Sequence, residues 1–109
     1  MLRLTIRDAH PDDEGRVIAL WRDCGLVSSY NDPAADFRFA MAGLASGVLV
    51  GQDEGGRVVA SVMVGHDGHR GWLYYVAADP AAQGQGIGRK IVAAGEAWLR
   101  DRGVVNVQL

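Results

Sequence analysis

Gly84, Gly86 and Gly88 stand at alternate positions between an apolar stretch and an amphipathic one, and no other feature restricts the fold as much. Residues 72–77 before them are apolar and aromatic, which suits a buried strand. Asp79-Pro80 ends that strand, because the residue before a proline avoids the helical region and proline offers no N–H. After the glycines, Ile87, Ile91 and Trp98, with Val92 and Leu99 one row over, recur at helical spacing and predict a helix as far as Arg102. Strand, glycine turn and helix start therefore follow one another directly. Glycine lacks a Cβ, so the backbone can adopt positive φ and approach a ligand closely. The first-turn N–H groups of a helix have no internal partner, and the macrodipole makes that end positive. Such a junction suits an anion, most often a phosphate or pyrophosphate.

Spacing narrows the choice. A dinucleotide fingerprint needs G-x-G-x-x-G, and the sixth position from Gly84 is Arg89. A P-loop needs G-x-x-x-x-G-K-[ST]; the sixth position is again Arg89, and Ile91 follows Lys90. What remains is Gln83-x-x-Gly86-x-Gly88, led in by Ala78-Asp79-Pro80. This resembles the Q/R-x-x-G-x-G/A signature of the GNAT family of N-acetyltransferases, whose cosubstrate is acetyl-CoA. A helix that merely starts in a flexible glycine loop is the alternative reading. It needs neither the Val-Ala-Ala-Asp-Pro lead nor the long amphipathic helix that follows.

The rest of the chain supplies an α/β frame for this junction. Residues 2–7 alternate Leu2, Leu4, Ile6 with Arg3, Thr5, Arg7, the pattern of a half-buried strand, β1. Pro11 fits the first position of helix α1, whose apolar face is Val17, Leu20, Trp21 and Cys24 and whose stop is Gly25. Asp12, Asp13 and Glu14 complement its N-terminus; with no histidine or further carboxylate at ligand spacing, they predict no metal site. Asp32 as N-cap and Pro33 as first residue open α2, with Phe37, Met41 and Leu44 facing inward and Ser46-Gly47 closing it. Residues 48–52 read as β2 and residues 53–56 as a hairpin turn. Residues 57–64 form the return strand β3, with Val58, Ala60, Val62 and Val64 on one side. Residues 65–71 are a polar loop, 72–77 are β4, the long helix is α3, Gly103 stops it, and 104–109 are β5.

Composition excludes several classes. A net charge of −2 from 11 basic and 13 acidic residues gives no electrostatic footprint for nucleic acid. The one cysteine, Cys24, forbids an internal disulfide and predicts a reducing, cytoplasmic address. No signal-peptide pattern and no membrane span is expected. Hydrophobic residues make up 49% of the 109, enough for the core of a single domain.

The order β1-α1-α2-β2-β3-β4-α3-β5 resembles the GNAT acyl-CoA N-acyltransferase fold over the whole chain. That likeness implies a mixed, mostly antiparallel α+β sheet with helices on both faces. Ile18-Ala19-Leu20-Trp21, Tyr30-Asn31-Asp32-Pro33, His66-Asp67-Gly68-His69-Arg70-Gly71 and Tyr74-Tyr75-Val76 are closest to the bacterial YpeA-like acetyltransferases. The family continues past β5 with an asparagine loop, a helix bearing the tyrosine proposed as general acid, and two more strands. None has a matching position here, so the expectation is a domain truncated after β5, whose apolar edge pairs with another copy or another chain.

The resemblance implies an acetyl-CoA-dependent acetyltransferase acting on a primary amine of a small molecule or protein. Val76, Ala77 and Ala78 would pair with the pantetheine arm like an added strand. Gln83, Gly84, Gln85, Gly86, Ile87, Gly88 and Arg89 would hold the pyrophosphate. For the general base the residues offer His66, Asp67 and His69 in the polar loop and Tyr74 on β4; all four are more readily read as surface loop and strand tyrosine. Asn31 and Asp32 border the acceptor pocket on this reading, although N-capping alone accounts for Asp32. An acyl-CoA-binding or regulatory module without transfer activity is the second class that stays open.

Overall fold

Four strands between residues 5 and 78 build most of the sheet on which everything else sits. A computed structural model of the chain describes residues 3–82 and 84–108. The elements are β1 (Thr5–Asp8), α1 (Glu14–Asp23), α2 (Pro33–Ala42), β2 (Ser46–Gln52), β3 (Val58–His66), β4 (Arg70–Ala78), α3 (Ile87–Arg100) and β5 (Asn106–Gln108). Short 3-10 turns at Pro11–Asp13 and Pro80–Ala82 lead into α1 and out of β4. The strands lie in one sheet in sequence order. The first four pair antiparallel, and β5 returns parallel to β4. The mixed α+β order read from the sequence is the order observed.

Both faces of the sheet are covered, which is why β2 and β3 read as near-continuous apolar runs. Against one face, Val17, Leu20 and Trp21 of α1 and Phe37 and Ala40 of α2 pack on Val48, Val50 and Ala77. Against the other, Ile87, Ile91 and Leu99 of α3 pack on Leu49, Ala60, Val62, Val64 and Leu73. Gly95 completes the inward row of α3. A Cβ there would lie 2.7 Å from Leu73 Cδ2 and 3.2 Å from Val64 Cγ1, so only glycine lets the helix sit this close. Leu99 takes the deep position at the end of α3, and Trp98 is half-buried, its ring against Gly47 and under the Arg102 guanidinium at 3.5 Å.

Four local expectations change. The helix α2 stops at Ala42, so Leu44 falls outside its period and is fully exposed, while Ala40 packs inward. Ser46 and Gly47 do not close that helix; they begin β2, and Ser46 Oγ donates to Ala40 O at 2.9 Å. The loop expected at 65–71 is mostly strand. Asp67 Oδ1 accepts from the His69 and Arg70 amides at 2.9 and 2.8 Å, and that side-chain-capped turn lets β3 and β4 extend to His66 and from Arg70. Val58 faces α1 and α2, not the side shared by Ala60, Val62 and Val64. The register explains this: Gly51 pairs with Ala60 but Gln52 with Val58, so Val59 is an extra residue in a β-bulge. Leu2, Gln83 and Leu109, used in the sequence reading, lie outside the described residues.

Candidate functional site: an open strand edge, a glycine helix start and a cavity

A second bulge shapes the site. Ala78 pairs with Ala60 and Ala77 with Ser61, yet Tyr74 pairs with Met63, so β4 takes three steps where β3 takes two. At this bulge Tyr75 has φ 51, the one non-glycine residue with positive φ among the described residues. That conformation costs on the order of 1–3 kcal/mol for a bulky residue and persists only where surroundings over-determine it. They do so here. The Tyr75 ring stacks on Trp21 with centroids 3.9 Å apart and planes 13° apart. The Tyr75 hydroxyl donates to Asp36 Oδ2 at 2.6 Å and accepts from Asn31 Nδ2 at 3.0 Å. Trp21 is itself pinned, its Nε1–H donating to the buried Ser61 Oγ at 2.9 Å. Burial first, then the Asp36 carboxylate, push the Tyr75 phenol up to about 12, so it stays protonated at neutral pH.

Beyond the bulge, one edge of β4 carries no strand among the described residues. The described pairs of β5 reach only Arg70, Gly71 and Trp72. Residues 73–78 therefore have no strand partner on that side among the described residues, and Val76, Ala77 and Ala78 lie along this edge. The Ala78 carbonyl accepts from the Cys24 Sγ–H at 3.1 Å, which gives the half-buried cysteine a structural part.

The strand then turns on Asp79, whose side chain is 8% exposed. It accepts from the Ala81 amide at 2.9 Å and from Arg16 at 2.8 Å, and Arg57 lies at 3.2 Å. The Ala81 amide first, then the two guanidinium groups, hold its carboxyl below the ordinary range against the opposing effect of burial. A carboxyl depressed in the folded state contributes stability above its unfolded pKa of about 3.9 and loses it as pH falls through the folded value. Asp79→Asn is thus expected to cost about 1–3 kcal/mol at neutral pH and to flatten the loss of stability below about pH 4. Urea melts at neutral and acid pH check this; an acid limb identical to the parent's would refute the assignment.

Past the turn, Gly84 and Gly86 have φ 87 and 74, and Gly86 is the N-cap of α3 with no side chain capping it. The first bond into the helix is Lys90 N–H to Gly86 O at 3.1 Å, which leaves the amides of Ile87, Gly88 and Arg89 free of that ladder. A Cβ built on Gly84, Gly86 or Gly88 meets nothing within 4 Å. The junction is an uncovered cradle of backbone donors. Gln85 and Arg89 are exposed beside it, whereas Ile87 points into the core and offers only its backbone. The residues present fit a pyrophosphate with an extended arm running back along the β4 edge.

On the α1–α2 face, the bulge floors a cavity of about 440 Å³ walled by Leu26, Asn31, Asp36, Phe39, Met63, Tyr74 and Tyr75. A second groove of about 580 Å³ shares Phe39, Met63 and Tyr74 and continues past Leu44 to Trp72. Of the general-base candidates, Tyr74 stands in both walls. His66 lines the far end of the second groove, while Asp67 and His69 sit at the β3–β4 turn; Gly71, the partner of His66, precedes Tyr75 by four residues, roughly 13 Å of strand. His66 Nδ1 accepts from the Gly68 amide at 3.0 Å. The Arg70 and His69 amides hold the Asp67 carboxyl below its ordinary range. Asn31 borders the cavity, while Asp32 Oδ1 caps α2 by accepting from the Ala35 amide at 3.1 Å. Sequence reasoning missed Asp36 and the clamp on Tyr75. The Tyr74-Tyr75 pair, two aromatics where a strand should alternate, was the available signal for the bulge. Asp36 had none. Among the described residues no cluster of histidine, cysteine or carboxylate could hold a metal ion, and no helix is long and apolar enough to cross a membrane.

The profile of the acetyltransferase (GNAT) family matches residues 9–109. An acetyltransferase of Pectobacterium atrosepticum is 36% identical over 106 residues, 97% of this chain and 74% of that protein. Among solved structures, a predicted acetyltransferase from Clostridium acetobutylicum with acetyl-CoA superposes with a TM-score of 0.80 at 12% identity, covering 98% of this chain and 80% of that one. A GNAT family acetyltransferase from Brucella melitensis in complex with acetyl-CoA gives 0.74 at 24% identity, over 93% and 71%.

Proposed function

The chain belongs to the acetyltransferase (GNAT) family, and from that premise we propose that it moves the acetyl group of acetyl-CoA to a primary amine of a small molecule or protein. The observation that carries this reading is the continuity of the open β4 edge with the uncapped glycine start of α3. The amides of residues 87–89, at the positive end of a helix, would take the pyrophosphate. Val76, Ala77 and Ala78 would pair with the pantetheine amides as an added strand. Among the described residues no strand pairs with that edge beyond Trp72, which leaves it room.

Bound acetyl-CoA supplies an acetyl thioester, whose C–S bond breaks as the amine forms a C–N bond; one amine proton leaves and the thiolate is reprotonated. The backbone N–H at the bulge, held by the clamp on Tyr75, would polarise the thioester carbonyl where negative charge develops. The cavity on the α1–α2 face would hold the acceptor close to that carbon, which is a large part of such catalysis. Tyr75 is a positioning residue here: a phenol pushed up to about 12 neither takes nor gives a proton near neutral pH. Tyr74 stands in the walls of both cavities and His66 in the wall of the second, so these two are better placed to relay a proton than His69 at the turn. The YpeA-like segments at 18–21, 30–33, 66–71 and 74–76 and a cytoplasmic site of action belong to the same proposal.

Thiol release from acetyl-CoA in the presence of an amine panel tests it. Amine-dependent release is the expected result. CoA binding by calorimetry with no release for any amine would replace transfer by the second reading, an acyl-CoA-binding or regulatory module.

A further inference from the structure

We infer that the acceptor is a diamine-like molecule, a primary amine joined by an apolar spacer to a second, protonated nitrogen that pairs with Asp36. The inference rests on the acetyl-transfer reading and names the substrate class of the same cavity. Its walls are aromatic and aliphatic except for Asn31, the hydroxyls of Tyr74 and Tyr75, and the Asp36 carboxylate. The only formal charge among the lining residues is therefore negative. That carboxylate is half-buried, and the partner recorded for it is the neutral Tyr75 phenol, on Oδ2. No arginine or lysine pairs with it among the described residues, and the nearest arginine in sequence, Arg38, is held by Glu14 through two bonds of 2.7 and 2.9 Å. Asp13 and Asp79, whose side chains are largely buried, both have arginine partners. A partly desolvated carboxylate with an open oxygen and no counter-charge selects a cation.

That cation is not the nitrogen that reacts. A nucleophilic amine must be neutral, and an ammonium paired with a carboxylate is held protonated. The bulge backbone, where the thioester carbonyl would be polarised, and Asp36, at the hydroxyl end of the same residue, are separated by the Tyr75 side chain. One acceptor can span this interval with its free amine at the bulge and its second nitrogen at Asp36. The spacer would lie against Phe39, Met63 and Tyr74, and Phe39 and Tyr74 are largely open to it.

The test compares a short alkane diamine with the monoamine of equal chain length, in turnover and in calorimetry on the CoA-loaded protein. The wild-type chain is expected to prefer the diamine about tenfold or more, the worth of one charge-assisted hydrogen bond. In Asp36→Asn, whose amide oxygen can still accept from Tyr75, the ratio is expected to fall toward one. Equal use of the two amines by the wild type, or a preference that survives in Asp36→Asn, overturns the inference. If CoA binds but no amine is turned over, the acetyl-transfer reading fails, and diamine affinity in calorimetry still decides the role of Asp36. A peptide bearing a lysine beside its free N-terminus, run in parallel, separates a protein acceptor from a free diamine by which shows the Asp36-dependent preference.

Discussion

Gly86→Val is expected to bind CoA at least about 100-fold more weakly than the parent. Gly86 sits at φ 74 and ψ 14 as the cap of α3, in the left-handed region. A β-branched residue there carries on the order of 1–3 kcal/mol of strain, and relieving it turns the first helical amides away from their common focus. A hydrogen bond to a charged group is worth about 1.5–3 kcal/mol, so losing two of the three amides at 87–89 costs two or more orders of magnitude in affinity. The added side chain would also stand where the ligand must come, since no described residue occupies that space. The loss falls on binding, because Gly86 is exposed and outside the core. Gly86→Ala should fall between parent and valine. Calorimetry with CoA decides, and an unchanged affinity for Gly86→Val would remove the pyrophosphate from this cradle.

Trp21→Ala is expected to be the most destabilising single truncation, by about 3–5 kcal/mol. That is a large share of the roughly 5–15 kcal/mol that keeps a domain folded. Trp21 is 0% exposed and joins two systems. It fills the core between α1 and Phe37, with ring centroids 6.4 Å apart, and it carries the Tyr75 ring that holds the β4 bulge. Trp21→Phe separates the effects. It keeps an aromatic surface under Tyr75 but removes the indole N–H, leaving the buried Ser61 hydroxyl without this donor at about 1–3 kcal/mol. Replacing Ser61 with alanine in the Trp21→Phe background should recover part of that loss, which a double-mutant cycle in urea measures. A Trp21→Ala chain within 1 kcal/mol of the parent would show that neither system depends on it.

The local elements were largely legible because their signals are short-range. Helical spacing from Ile87 onward, the Asp32-Pro33 start and the apolar run of β4 each lie within a few residues and are found as read. The glycine junction was legible for the same reason: motif spacing and the geometry of a helix N-terminus are properties of consecutive residues. Where the reading failed, local pattern competed with pairing. Leu44 continues the apolar period of α2, but Ser46 is recruited into β2 opposite Gly65, and the helix ends first. The histidine-rich stretch at 66–70 looks like loop, yet the Asp67 carboxylate makes it a tight hairpin.

The sequence by itself determined the order of elements, the family likeness and the glycine cradle, all encoded by periodicity and spacing along the chain. The tertiary structure alone decided the register. Bulges at Val59 and in β4 arise because adjacent strands must satisfy their hydrogen bonds while burying opposite faces under different helices, and no single strand carries that information. The cavity is of the same kind. Tyr75 meets Asp36 across 39 positions and Trp21 meets Ser61 across 40, so the clamp on β4 and the charge that selects an acceptor exist only once α1 and α2 have docked on the sheet.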